Sequence, residues 1–139
     1  MSDCVFCNIV AGEVASEILF QNDKVVSILD INPIHLGHAL VIPKIHYRDF
    51  LELEPQCYPS LLNTARIVTT ALVRGLNLEG FNIFSNNGRI AGQSVFHFHL
   101  HITPRYQNDE IRFVLKLKKY QNAEMRQYAD LIRNHIHQC

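Results

Sequence analysis

An α+β fold is predicted, an antiparallel five-stranded sheet with one long central helix on a face and short terminal helices, and three observations predict it. Short apolar, β-branched runs follow one another across tight turns, which is the pattern of strands paired in hairpins. A single long stretch, Pro59 to Leu76, carries apolar residues at helical spacings. No internal repeat, low-complexity tract or Ser/Gly linker divides the chain, so one layered unit is expected rather than two.

Taken in order, Phe6 to Ala11 reads as a short helix stopped by Gly12, the residue that most easily takes the left-handed C-terminal conformation. Glu17 to Gln21 and Lys24 to Leu29 are two strands joined by the turn Asn22-Asp23. Asp30-Ile31-Asn32-Pro33 breaks the pattern, and His38 to Pro43 makes a third strand around Leu40-Val41-Ile42, closed by a proline that cannot donate to a ladder. Pro59 sits in a permitted first-turn position of the long helix, which presents Leu62, Ala65, Ile67, Val68, Ala71 and Leu72. Phe81 to Ser85 and Val95 to Thr103 are the last two strands, around a glycine-bearing loop, and Ala123 to Ile136 is a terminal helix.

The 139 residues include 13 basic and 13 acidic side chains, so the formal net charge is zero, which excludes nucleic-acid binding driven by overall charge. Apolar residues make up 47% and charged residues 19%, the composition of a chain that buries a core, so residues 1–139 are expected to form a single domain. No run approaches the roughly 18 apolar residues of a membrane span, and Met1-Ser2-Asp3-Cys4 has no leader pattern, so a cytoplasmic location is expected. In that compartment Cys4 and Cys7 are free thiols or metal ligands. Basic residues gather late, with Arg112, Lys116, Lys118, Lys119, Arg126 and Arg133 against Glu124 and Asp130, which reads as a solvated face with some attraction for an anion.

The eight histidines are the compositional oddity, and three stand in alternation: His97-Phe98-His99-Leu100-His101-Ile102. On a strand the three imidazoles share one face while Phe98, Leu100 and Ile102 face the core. At a rise of about 3.3 Å per residue, His97 and His101 are roughly 13 Å apart, too far to grip one ion together, so at most an adjacent pair chelates. The alternative is a middle histidine acting as nucleophile or general base, with its neighbours holding it or a negatively charged substrate. Upstream, Asn86 to Ser94 supplies glycines and polar groups suited to an oxyanion. His135 and His137 are read as ordinary histidines, and Cys57 and Cys139 as packing or surface residues.

The segment Gly92-Gln93-Ser94-Val95-Phe96-His97-Phe98-His99-Leu100-His101, with Gly37-His38 through Pro43-Lys44 and Asp30-Ile31-Asn32-Pro33, resembles the histidine-triad nucleotide-binding and hydrolase family in its Hint-like branch. The likeness runs from Cys4 to about Arg105; residues from about 106 to 139 form a variable C-terminal segment, where residues facing the leaving group are expected. It implies that His99 attacks the α-phosphorus of a nucleotide conjugate, a phosphoramidate or a dinucleoside polyphosphate, through a nucleotidyl-histidine intermediate that water resolves to a nucleoside monophosphate. It assigns His101 to phosphate contact and proton traffic at the leaving group, His38 to orienting His99, and Asn86, Gln93 and Ser94 to phosphate contacts. Asp30 matches a ribose-binding carboxylate, with Phe20 or Ile28 walling the base pocket. It implies a structural zinc ion held by Cys4, Cys7, His46 and His97, and a homodimer with Val68 and Leu72 in the seam. The alternative is a non-catalytic purine-nucleotide-binding signalling or interaction module.

Overall fold

The structure is a computed structural model that describes residues 2–136; His137 and Cys139 lie outside the described residues. The elements are α1 (Val5–Val10), β1 (Ile18–Gln21), β2 (Val25–Leu29), β3 (Ala39–Pro43), α2 (Tyr58–Gly75), β4 (Gly80–Phe84), β5 (Leu100–Arg105) and α3 (Glu124–Arg133), with short 3-10 turns at Phe50–Glu52, Pro55–Cys57 and Arg89–Ala91. The strands form one antiparallel sheet in the order β1-β2-β3-β5-β4, as the turn-linked apolar runs imply.

Local chemistry explains the joints. Asn22 closes the first hairpin, its side-chain oxygen accepting from the amides of Lys24 and Val25 at 2.9 Å each. Gly12 ends α1 with φ +76°. The sheet has a different layer on each face. Val25, Ala39, Val41, Phe98 and Ile102 pack with Leu61, Ala65 and Val68 of α2, while Val26, Ile28, Leu40 and Ile42 pack beneath Phe6 of α1. Period-two alternation sorts the residues of β2 and β3 between these cores.

Three expectations need correction. β5 begins at Leu100, not Val95. Pairing with β3 stops at Val41 with Leu100; before that point the Phe98 amide donates to the Tyr47 carbonyl and the Pro43 carbonyl is taken by the His97 ring, so no ladder forms. Phe20 belongs to the α2-side core, because a register shift between Ile18 and Phe20 turns the strand over: Ile18 pairs with Ile28 but Phe20 pairs with Ser27. Val68 is buried at 3% exposure and Leu72 packs against the same core, so neither is a free surface residue.

Phe98 is 1% exposed at the centre of the α2-side core. Phe98→Ala is expected to cost about 3–5 kcal/mol of unfolding free energy in urea titrations, against less than about 0.5 kcal/mol for Ile90→Ala at a fully exposed position.

Candidate functional site

Residues 97–99 lead from a bend into β5 at Leu100, and their side chains still fall on alternate sides. Phe98 and Ile102 join the core with Leu100 against it, and His97, His99 and His101 face the other way. The three imidazoles then divide between two clusters.

His97 is fully buried, and its Nε2–H donates to the Pro43 carbonyl at 2.8 Å. This directs the Nδ1 lone pair at the thiols, 3.4 Å from Cys4 Sγ and 3.5 Å from Cys7 Sγ; His46 Nδ1 is 3.3 Å from Cys7 Sγ. All four ligand atoms lie within 4.8 Å of one another. The edges of a tetrahedron with zinc–ligand arms of about 2.0–2.3 Å run about 3.3–3.8 Å, so this donor set fits a four-coordinate cation. The Pro43 carbonyl fixes the His97 tautomer, as an outer-shell acceptor does for a metal-bound imidazole. Burial, with Cys4 alongside, pushes the Cys7 thiol up, a bias that a cation reverses.

His99 and His101 lie on the wall of a cleft of about 400 Å³ together with Asp30, Ser94 and Ile28. Their tautomers follow from the donors around them. The His99 ring is 2.7 Å from the His97 carbonyl through Nδ1, so Nδ1 carries the proton and Nε2 keeps a lone pair. The Ile34 amide donates to His38 Nδ1 at 3.1 Å, which leaves the His38 proton on Nε2, donated to His101 Nδ1 at 2.9 Å. His101 therefore carries its proton on Nε2. Adjacent rings, with centroids 4.7 Å apart, thus have opposite polarity: His99 offers a nucleophilic lone pair and His101 a donor. Phe84 stacks on His101 at 4.6 Å and Phe6 stands edge-on to His99 at 5.0 Å, limiting both rings. Gly37 delivers His38: its φ is +89°, and a Cβ there meets Leu76 at 2.7 Å.

Burial holds all three of these imidazoles below the ordinary histidine range. For His101, burial and then the neighbouring His99 and His38 rings bring it to about 4. For His38, burial outweighs the Asp30 carboxylate 3.6 Å from Nδ1; for His99, burial outweighs the His97 carbonyl and Asp30. The rings are neutral at pH 7.

Ser94, Asp30, Ile28, His99 and His101 thus meet at one cleft, with His38 directly behind. Gln93 does not reach the wall: its Oε1 accepts from the Gly88 amide and its Nε2 donates to the carbonyls of Arg48 and Val95, so all its hydrogen-bonding groups serve the loop. Asn86 stands against Gly92 rather than in the cleft. Among the described residues nothing after Arg105 lines this cleft. That tail is held elsewhere, by a bidentate Arg105–Asp109 pair at 2.6 and 3.1 Å whose carboxylate is held far below its usual range. Sequence reasoning missed the floor made by Val5, Phe6 and Ile9 with Val14 to Ser16. The signal was there, since Val5 and Ile9 recur at i, i+4 on the helix that carries Cys7.

Known proteins share this fold. A family model described as the HIT domain matches residues 11–108. The adenylylsulfatase HINT3 of Arabidopsis thaliana is 37% identical over 97% of this chain and 70% of that protein. The crystal structure of a histidine triad nucleotide-binding protein from Candida albicans superposes with a TM-score of 0.85 at 30% identity, covering 95% of this chain and 96% of that one. A zinc-bound histidine triad family protein from Mycobacterium smegmatis gives 0.75 at 32% identity, covering 96% and 98%.

The unfolded chain binds protons at ordinary histidine values near 6.5, before the folded imidazoles do, so stability is full above that pH and declines as pH falls toward about 4. Thermal unfolding of metal-free protein is expected to show a Tm several degrees lower at pH 5.0 than at pH 7.5. An unchanged Tm contradicts the neutral buried rings.

Proposed function

We propose, taking as premise that this chain belongs to the HIT family, that it is a nucleotidyl hydrolase or transferase in which His99 attacks the α-phosphate of a nucleotide conjugate. The opposed tautomers of His99 and His101 in one cleft carry this reading. The name of the Arabidopsis relative supports adenylyl conjugates as the substrate class.

The nucleoside lies over Val5, Phe6, Ile9 and Ile28, with Asp30 accepting from the ribose hydroxyls. Its α-phosphate meets Ser94 and the glycine-bearing loop amides, while Gln93 and Asn86 shape that loop from behind. His99 Nε2 attacks phosphorus in line as the bond to the leaving group breaks, and His101 Nε2–H donates to the phosphate and the departing atom as charge develops there. Water then attacks phosphorus, the N–P bond breaks with its electron pair returning to His99 Nε2, the water's proton replaces the one carried off by the leaving group, and the nucleoside monophosphate leaves. His38 acts through His101, fixing which nitrogen carries its proton. Phe20, held in the opposite core, takes no part.

Cys4, Cys7, His46 and His97 would hold a zinc ion that ties α1, and with it the floor of the cleft, to the segments after β3 and before β5. Such an ion would be structural; the chemistry belongs to the chain's own rings. Two copies associate along edge strand β4 and α2, where Phe81, Ile83 and Leu62 are exposed beside an apolar groove of about 420 Å³. Light scattering is expected to give twice the 16.0 kDa chain mass; a 16.0 kDa particle at micromolar concentration counts against the dimer.

His99→Ala is expected to lower turnover of an adenosine phosphoramidate by more than about 10⁴-fold while nucleoside monophosphate binding changes little. Acid-labile label from an α-labelled substrate is expected on wild type alone. Substantial turnover in the variant, with no label trapped on wild type, returns the mechanism to direct attack by water, and turnover by neither leaves a binding module. Elemental analysis is expected to find about one zinc per chain, and Cys4→Ser to lower Tm more than it lowers kcat.

A further inference from the structure

Two arginines outside the cleft converge on one aromatic ring. The guanidinium carbons of Arg48 and Arg89 each stand 5.5 Å from the centre of Phe96, so the cations are no more than 11 Å apart. The brace is Gln93, which joins the Arg48 carbonyl at 2.7 Å to the Gly88 amide at 2.8 Å, next to Arg89. Both side chains are exposed. Among the described residues neither guanidinium has a carboxylate oxygen within 4.0 Å, whereas Arg105, Arg126 and Arg133 each have one. Each cation faces the Phe96 ring without a carboxylate partner and so keeps its charge for an anion that reaches the ring.

What lies beside this pair gives it a purpose. Phe96, with Ser94 and Val95, lines a shallow hollow of about 390 Å³, in which Asp3 is the one carboxylate among the described lining residues. The hollow shares Val5, Ser94 and Val95 with the catalytic cleft, so the two are continuous at Ser94. A conjugate whose α-phosphate rests on Ser94 can run its substituent across Val95 to Phe96, the ring that both guanidiniums face.

We propose that Arg48, Phe96 and Arg89 form a subsite for the leaving group, selecting nucleotide conjugates whose leaving group carries further phosphate charge over those whose leaving group is neutral. This rests on the nucleotidyl-transfer reading and narrows its substrate class. A planar guanidinium matches the oxygens of phosphate in two-point contact. Because the pair is at the rim, its effect falls on KM and weakens with salt.

The test compares wild type with an R48Q/R89Q double variant on diadenosine tetraphosphate, which loses adenosine triphosphate, and on adenosine 5′-phosphoramidate, which loses ammonia. The double variant is expected to lose about tenfold in kcat/KM on the tetraphosphate, chiefly through KM, and to stay within about twofold on the phosphoramidate. The loss is expected to shrink at high salt, and R48K/R89K to restore most of it. Equal loss on both substrates, or loss on neither, overturns the subsite. Binding of inorganic tripolyphosphate, followed by calorimetry, is the second arm. If wild type turns over neither substrate, the nucleotidyl-transfer reading fails, and this arm decides the subsite alone: about tenfold weaker binding in the double variant supports it, and unchanged binding overturns it.

Discussion

The hydrogen bond from His99 Nδ1–H to the His97 carbonyl, at 2.7 Å, is the contact on which the rest of the site depends. It joins two residues of the short segment that leads into β5, so it holds only while both rings stay on one side of that backbone. The core enforces this. Phe98 and Ile102 are 1% and 0% exposed among α2 and the sheet, and rotating the strand to release His99 unseats both. Hydrophobic packing on one face thereby sets an imidazole tautomer on the other.

The same segment holds two imidazoles in opposite tautomers. At His97 the Pro43 carbonyl leaves the Nδ1 lone pair facing two thiols; at His99 the His97 carbonyl leaves the Nε2 lone pair free. Phe6 touches both rings edge-on, at 5.9 and 5.0 Å, from a helix that also carries Cys7. The thiol–imidazole cluster and the cleft floor therefore share one helix.

Much of this was legible in the residues, because period-two alternation is local and His97-Phe98-His99-Leu100-His101-Ile102 states it without ambiguity. The antiparallel sheet and α2 follow from equally local signals. Two kinds of information were not local. A single inserted residue between Ile18 and Phe20 sends Phe20 to the far core, and no composition rule marks such a bulge. Gln93 has the residue type of a phosphate ligand, but three internal partners use up its amide, and those partners come from 45 positions away as well as nearby. The meeting of Arg48 with Arg89 over Phe96 likewise exists only once the chain is folded.

The central claim is that at neutral pH His99 is an uncharged ring with its proton on Nδ1 and a lone pair on Nε2. Nitrogen-15 chemical shifts of the histidine side chains test it directly. The account predicts, for His99 at pH 7, a protonated Nδ1, an unprotonated Nε2 and no titration above pH 6.5. A ring protonated on Nε2, or an imidazolium at pH 7, contradicts it.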